Sequence, residues 1–207
     1  MTEQSSPQTI AFNKPYGVLP HFTDPEGRPT LAEFIQLPGV YAAGRLDLDS
    51  EGLMLLTSDG TLAHHITDPQ HKLPKVYLAQ VERLPDAAAL EHLRKGVELK
   101  DTRTKPAEAE LLEGEPALPE RPVPIRYRKT VPTAWLQITL REGLNRQVRR
   151  MTAAVGHPTV RLVRVAICPV RLGDLKPGEW RALTKGEIDQ IYTVTARRPR
   201  RIMRQCP

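Results

Sequence analysis

The sequence predicts an α+β domain built on a mixed, largely antiparallel sheet with flanking helices, and three observations carry that reading. Segments with the strand period outnumber segments with the helix period, the two kinds do not alternate as they do in doubly wound folds, and no internal repeat divides the chain. With 207 residues and a 40% hydrophobic share, the chain is long enough to bury a substantial core.

The elements follow in order. Ile10 to Leu19 reads as a short apolar strand ended by the punctuation of Pro15 and Gly17. A short helix is expected over Pro29 to Phe34, closed before Pro38-Gly39, and a brief strand over Val40 to Ala43. Gly44 to Gly60 then forms a sharply bent loop that feeds the buried strand Leu53 to Thr57 and leaves by an Asp-Gly turn. Gly60 to Ile66 is a short helix, and Lys75 to Val81 alternates at the strand period. Asp86 to Lys95 is an amphipathic helix with Ala87, Leu90 and Leu93 on one face, ended by Gly96.

Val97 to Leu112 reads as a strand pair around the polar turn Lys100 to Lys105. The five prolines from Pro106 to Pro124 mark a proline-rich insertion at about 113–124. Trp135 to Leu140 is the clearest alternating strand, followed by a helix from Asn145 to Val155 capped by Gly156. Strands at Arg161 to Ile167 and Trp180 to Leu183 and a helix from Lys185 to Tyr192, opened by Thr184, complete the domain. Residues 1–9 are expected to be a flexible N-terminus, 10–194 the folded domain and 195–207 a basic tail, disordered over Arg197 to Arg204.

Charge is unevenly divided. Residues 1–120 hold 11 basic and 19 acidic side chains, a net −8, whereas residues 121–207 hold 19 and 5, a net +14. One-signed charge repels itself unless a partner neutralises it, so the C-terminal part is the candidate surface for a polyanion, nucleic acid before membrane. No apolar run approaches the about 20 residues that cross a bilayer, and the polar start lacks the pattern of a signal peptide, so a cytoplasmic location is expected. Cys168 and Cys206 match no metal or redox spacing and are expected to be reduced and unpaired.

Two constellations could carry chemistry. In an extended Gly44–Gly60 loop, Asp47 and Asp49 point to one side, as paired carboxylates would for acid and base work on a glycosidic bond; either could equally be a turn former or cap. Arg45 shares that side and favours an ionised carboxylate at Asp47. The second constellation is Arg146, Arg149 and Arg150, spaced to form one cationic ridge near a helix N-terminus, with no acid between Arg146 and Arg164. His64, His65 and His71 lack a fourth metal ligand at a useful spacing and are assigned to the surface. Tyr77 is either core packing or a ring for stacking on a base.

Asn13-Lys14-Pro15-Tyr16-Gly17, Gly44 to Gly60 with its Gly-Arg-Leu-Asp-x-Asp-Ser-x-Gly-Leu run, Lys75-Val76-Tyr77, and Gly143 to Val165, in that order, resemble the pseudouridine synthases of the ribosomal small-subunit pseudouridine synthase A family. The resemblance covers about residues 10–194 and is to short, large-subunit members that lack an S4-type RNA-binding module. It implies the pseudouridine synthase fold with two subdomains around a catalytic cleft. It also implies isomerisation of a specific uridine in 23S ribosomal RNA, the target being flipped out of its helix. By the same resemblance Asp47 is the catalytic aspartate, Arg149 the arginine that pairs with it, and Tyr77 the ring that stacks on the target base. Arg45 would fill the space left by the flipped nucleotide, and Lys14, Arg146 and Arg150 would contact RNA, while Asp49 becomes a structural carboxylate. An isomerisation that conserves every atom implies no cofactor and no metal. A monomer is expected, with large-subunit ribosomal RNA as partner. A non-catalytic RNA-binding or ribosome-assembly protein would also account for the basic surface, but would leave Gly44 to Gly60 without a purpose.

Overall fold

The computed structural model describes residues 8–71, 73–121, 123–125 and 130–196. Their strands form one mixed sheet. Strand β1 (Thr9–Lys14) pairs antiparallel with β3 (Glu51–Thr57), and β2 (Tyr41–Ala42) pairs with the end of β3. Every residue of β1 and β3 is buried. Their side chains alternate between two apolar clusters: Ala11, Leu53 and Leu55 enter one, and Ile10, Phe12, Met54 and Leu56 enter the other. A near-continuous apolar run such as Leu53 to Leu56 is what a strand covered on both faces requires. Between β1 and β2, the short helix expected over Pro29 to Phe34 is a single 3₁₀ turn (Leu31–Glu33), capped by Thr30 with a reciprocal capping box.

Asp59 does not make a turn with Gly60. Its carboxylate accepts from the amides of Thr61 and Leu62 and caps helix α1 (Gly60–Thr67), which is how Gly44 to Gly60 ends. Strand β4 (Lys75–Glu82) and helix α2 (Ala87–Lys95) follow, α2 capped by Asp86 and burying Ala89 and Leu93 while Ala87 is exposed. The expected strand pair after α2 is reduced to an isolated bridge, Glu98 with Arg103, and one edge strand, β5 (Glu108–Leu111). Strand β6 (Thr133–Leu140), helix α3 (Gln147–Ala154), strand β7 (Thr159–Ile167), its short hairpin partner β8 (Val170–Arg171), strand β9 (Trp180–Ala182) and helix α4 (Lys185–Ala196) complete the order.

Across the sheet the order is β5-β6-β4-β7-β3-β1-β9, antiparallel except where β7 meets β3. That parallel contact sets Glu51 beside Val163 and Gly52 beside Arg164. Gly52 is at φ +102°, and a Cβ there would lie 2.3 Å from the Arg164 carbonyl oxygen, so only glycine lets the strands approach. Helices α2 and α3 cover the β4–β6–β7 half through Leu93, Val148 and Met151.

Two boundaries differ from the sequence reading. Thr9 belongs to β1, buried with its hydroxyl 2.7 Å from that of Thr57, and α4 runs past residue 194 to Ala196 with Thr195 buried. Residues 1–7 and the basic tail 197–207 lie outside the described residues, as does part of the segment after the proline-rich insertion. Cys168 is disulfide-bonded rather than a free thiol, and Cys206 lies outside the described residues.

Candidate active site

A cleft of about 370 Å³ opens between the Gly44–Ser50 loop, the end of α1, strand β4 and the turn leading into α3. That volume is within the about 300–1,000 Å³ typical of pockets that enclose a small molecule. Lys75 and Tyr77 point into it because alternate residues of β4 face one side; Val76 and Leu78 line the opposite face of the sheet. Tyr77 also packs against two of the three apolar clusters.

The loop bearing Asp47 is pinned from several directions. The Ser50 amide donates to the Asp47 carbonyl (3.1 Å), closing a turn, and the Gly17 amide donates to the Leu48 carbonyl (2.9 Å). From β7, the Arg164 guanidinium donates to the carbonyls of Leu53 (2.7 Å) and Arg45 (3.3 Å). From α3, Arg149 donates to the Asp49 carbonyl (2.6 Å) and to that of Thr159 (3.2 Å). Behind the loop, Glu51 and Arg161 form a buried bidentate pair at 3.0 and 2.9 Å, Arg161 also holding the Pro119 carbonyl of the insertion. A carboxylate on a loop held this firmly is aimed before any ligand arrives.

The two carboxylates have unlike surroundings. Asp49 receives both arms of Arg146, at 2.8 and 2.7 Å, and lies 3.4 Å from Arg149 Nε. Partial desolvation pushes the Asp49 carboxyl up, but the Arg146 hydrogen bonds and the Arg149 charge outweigh it and hold it below the ordinary range. The same hydrogen bonds raise Arg146, while burial lowers Arg149. Asp47 lines the cleft and accepts no side-chain hydrogen bond among the described residues; its nearest cation is Arg146, whose NH1 is 3.6 Å from Asp47 Oδ2.

The structure therefore separates the expected arginine ridge into three fixed roles. Arg146 grips Asp49, Arg149 holds the loop backbone and lies beside Asp49 rather than Asp47, and Arg150 pairs with Asp101 from the turn after α2. Arg146 reaches across because it precedes α3 in the left-handed region (φ 48°, ψ 36°), an uncommon conformation for a non-glycine residue. Arg45 is exposed at the cleft mouth and forms no ion pair among the described residues.

Lys14 is not brought to the cleft wall. It is fully buried, its ammonium donating to the carbonyls of Pro15 (2.8 Å) and Val18 (2.7 Å), and desolvation lowers it to about 8. Sequence reasoning missed Lys75, Arg141 and Arg164 as cleft residues. Desolvation lowers Lys75 to about 8, with Arg164 as a further repulsive charge. The strand alternation that places Tyr77 in the cleft was the signal for Lys75, two residues earlier. His64 is exposed, and His65 stacks on His71 at 4.7 Å; no group of metal-ligand geometry exists among the described residues.

The pattern of cleft and motifs matches a known family. The model of the RNA pseudouridylate synthases matches residues 8–154. The chain belongs to that family. Among its relatives, the ribosomal large subunit pseudouridine synthase E of Xanthomonas campestris pv. campestris is 59% identical over 174 residues, 83% of this chain and 93% of the relative. The protein of the same description from Vibrio vulnificus is 57% identical, covering 84% of this chain and 74% of the relative. A crystal structure of a pseudouridylate synthase superposes with a TM-score of 0.76 at 32% identity, over 92% of this chain and 76% of that one. A human RNA pseudouridylate synthase domain-containing protein, 15% identical with a TM-score of 0.53 over 86% of this chain and 80% of that one, shares the fold. The synthase is thus an enzyme of the α+β pseudouridine synthase fold, as its sequence motifs implied.

Proposed function

We propose that this synthase converts one uridine of large-subunit ribosomal RNA to pseudouridine, with Asp47 as the catalytic carboxylate. In that reaction the N1–C1′ bond breaks, uracil turns within the pocket, and a C5–C1′ bond forms; the proton leaves C5 and N1 gains one. Asp47 attacks or assists at the nucleoside, Tyr77 stacks on the extruded base, and Arg45 occupies the gap left in the RNA. Arg146 and Arg150 meet phosphates at the rim, and Arg149 acts through the loop it holds. The atoms balance without a cofactor or metal, and the enzyme works as a cytoplasmic monomer. Among the described residues no helix is long and apolar enough to cross a membrane.

The observation that carries this reading is that Asp47, alone of the two loop carboxylates, lines the same cleft as Tyr77, with its oxygens uncommitted by hydrogen bonds among the described residues. The names of the close relatives support the choice of RNA. Asp47→Asn is expected to slow pseudouridine formation by about 10³-fold or more while RNA affinity changes little. Mapping pseudouridine in ribosomal RNA from cells lacking the protein, complemented with wild type or Asp47→Asn, checks both parts. A site restored by the variant would refute the role of Asp47, and an unchanged map would refute the substrate.

A further inference from the structure

Lys14 and Lys75 are both desolvated cations, and the fold provides for them unequally. Burial pushes each down to about 8. The Lys14 ammonium is satisfied by two carbonyls at 2.8 and 2.7 Å and feels the opposing charges of Glu51, Asp49 and Asp47. The Lys75 ammonium has the Leu73 carbonyl at 3.4 Å, forms no ion pair among the described residues, and has the Arg164 charge working against it. A half-buried cation placed in this way lowers stability until a ligand engages it. The other cations of the cleft wall are committed or stand outside. Arg141 pairs with Glu108 (3.1 Å), Arg146 grips Asp49, Arg164 holds loop carbonyls, and Arg45 is exposed at the mouth. Among the described residues, Lys75 is thus the recessed cation of the wall that keeps donors to spare. It precedes Tyr77 by two residues on the same face of β4, roughly 7 Å along the strand, and its flexible stem lets the ammonium reach a base stacked on that ring.

We propose that Lys75 is a further catalytic residue, its ammonium donating to a carbonyl oxygen of the departing uracil. The proposal rests on the reading that this cleft isomerises a uridine stacked on Tyr77, and it specifies how the leaving base is held. When the N1–C1′ bond breaks, its electron pair stays on the uracil, and the negative charge spreads over N1 and the O2 and O4 oxygens. A fixed cation in a poorly solvated position interacts more strongly with that charge than with neutral uridine, so it favours the transition state over the ground state. The same attraction keeps the detached anion in the cleft while it turns. Lys75 gives up no proton. The C5–C1′ bond forms with the electron pair that the uracil carried away, C5 then loses its proton, N1 gains one, and the ammonium ends the cycle as it began.

The test is the single-turnover rate of pseudouridine formation in a large-subunit ribosomal RNA transcript, read separately from the RNA dissociation constant. Lys75→Met, which keeps most of the stem and removes the charge, is expected to slow the rate by about 10²-fold with affinity changed less than about threefold. Its thermal melting at neutral pH should match or exceed that of wild type, because a desolvated charge has been removed. If Lys75→Met lost its fold, Lys75→Gln carries the same comparison. A charge-specific role is read by chemical rescue: ethylammonium added to Lys75→Ala at fixed ionic strength should raise the rate by about fivefold or more, and ethanol should not. A Lys75→Met enzyme at the wild-type rate overturns the proposal. A loss confined to affinity does the same, since it would make Lys75 a phosphate contact, and so does a Lys75→Ala enzyme indifferent to ethylammonium. Asp47→Asn, run in parallel, separates the layers. A wild type that forms no pseudouridine in this RNA, or an active Asp47→Asn enzyme, sinks the reading beneath; an inactive Asp47→Asn beside a fully active Lys75→Met sinks only the role of Lys75.

Discussion

Two arginine–carboxylate pairs bridge the same two stretches of chain, and they lie at different depths. Glu51–Arg161 is buried, with 8% and 9% of the side chains exposed; Asp49–Arg146, two residues earlier in the loop, has 34% and 43% exposed. Both are bidentate and both tie the β3 approach to the α3–β7 region. Identical chemistry serves different ends because of solvent. A buried pair cannot exchange partners without leaving a naked charge in a low-dielectric interior, so it behaves as scaffold. A half-exposed pair is screened and can be redistributed among neighbours, so it suits a site where charge must respond to RNA.

Removing one partner from each pair tests whether depth sets their roles. Glu51→Ala leaves Arg161 buried and uncompensated, and is expected to lower unfolding stability by about 3–5 kcal/mol in urea titrations. Gly52→Ala, at the next residue, forces a side chain into the Arg164 backbone at positive φ; about 2–3 kcal/mol is expected from the same titration, without any change of charge. Asp49→Ala should cost less than about 1 kcal/mol, because water and neighbouring groups accommodate Arg146. Equal losses for Glu51→Ala and Asp49→Ala would show that depth does not separate the pairs.

Smaller effects test the rim. Arg150 pairs with an exposed Asp101, so Arg150→Ala should leave stability nearly unchanged. It should weaken RNA binding and reduce the salt slope of log K by about 1, as measured in a potassium chloride series. A separate effect, read along the pH axis rather than from a variant at one pH, is a pH dependence at Lys75. With its folded value lowered to about 8 from 10.5, the unfolded chain binds more protons between those values, so stability rises with pH across that window. The unfolding free energy of wild type should therefore gain on that of Lys75→Met between pH 8 and 10.5 and run parallel to it below. The opposite trend would mean that Lys75 gains an anionic partner.

The fold was legible wherever a pattern is local. Trp135 to Leu140 alternates and is a strand, Leu53 to Leu56 is continuously apolar and lies covered on both faces, and Asp86 and Thr30 sit at helix or turn starts as caps. The loop from Gly44 to Gly60 was legible because glycines and charges crowd into one short run. What could not be read depends on partners remote in sequence. Arg146, Arg149 and Arg150 look like one phosphate ridge by spacing, yet their partners come from positions 97, 100 and 49 residues away. Lys14 takes its two carbonyls from close by, Pro15 and Val18, but β1 is flanked by strands remote in sequence, β3 and β9, and its burial is not written in the motif. In the turn before α3 the left-handed residue is Arg146 rather than its neighbour Asn145, so residue type does not signal the position.

The parallel contact of β3 with β7 has a consequence for synthesis of the chain. Asp49 is made 97 residues before Arg146, and Leu53 is made 111 residues before Arg164, whose guanidinium holds the carbonyls that flank the loop. A nascent chain exposing only its first half carries the aspartate but not the groups that aim it. Competence thus arrives late and at once, when the seventh strand slots beside the third, and a ribosome-bound fragment cannot modify RNA in its vicinity before the enzyme is nearly whole.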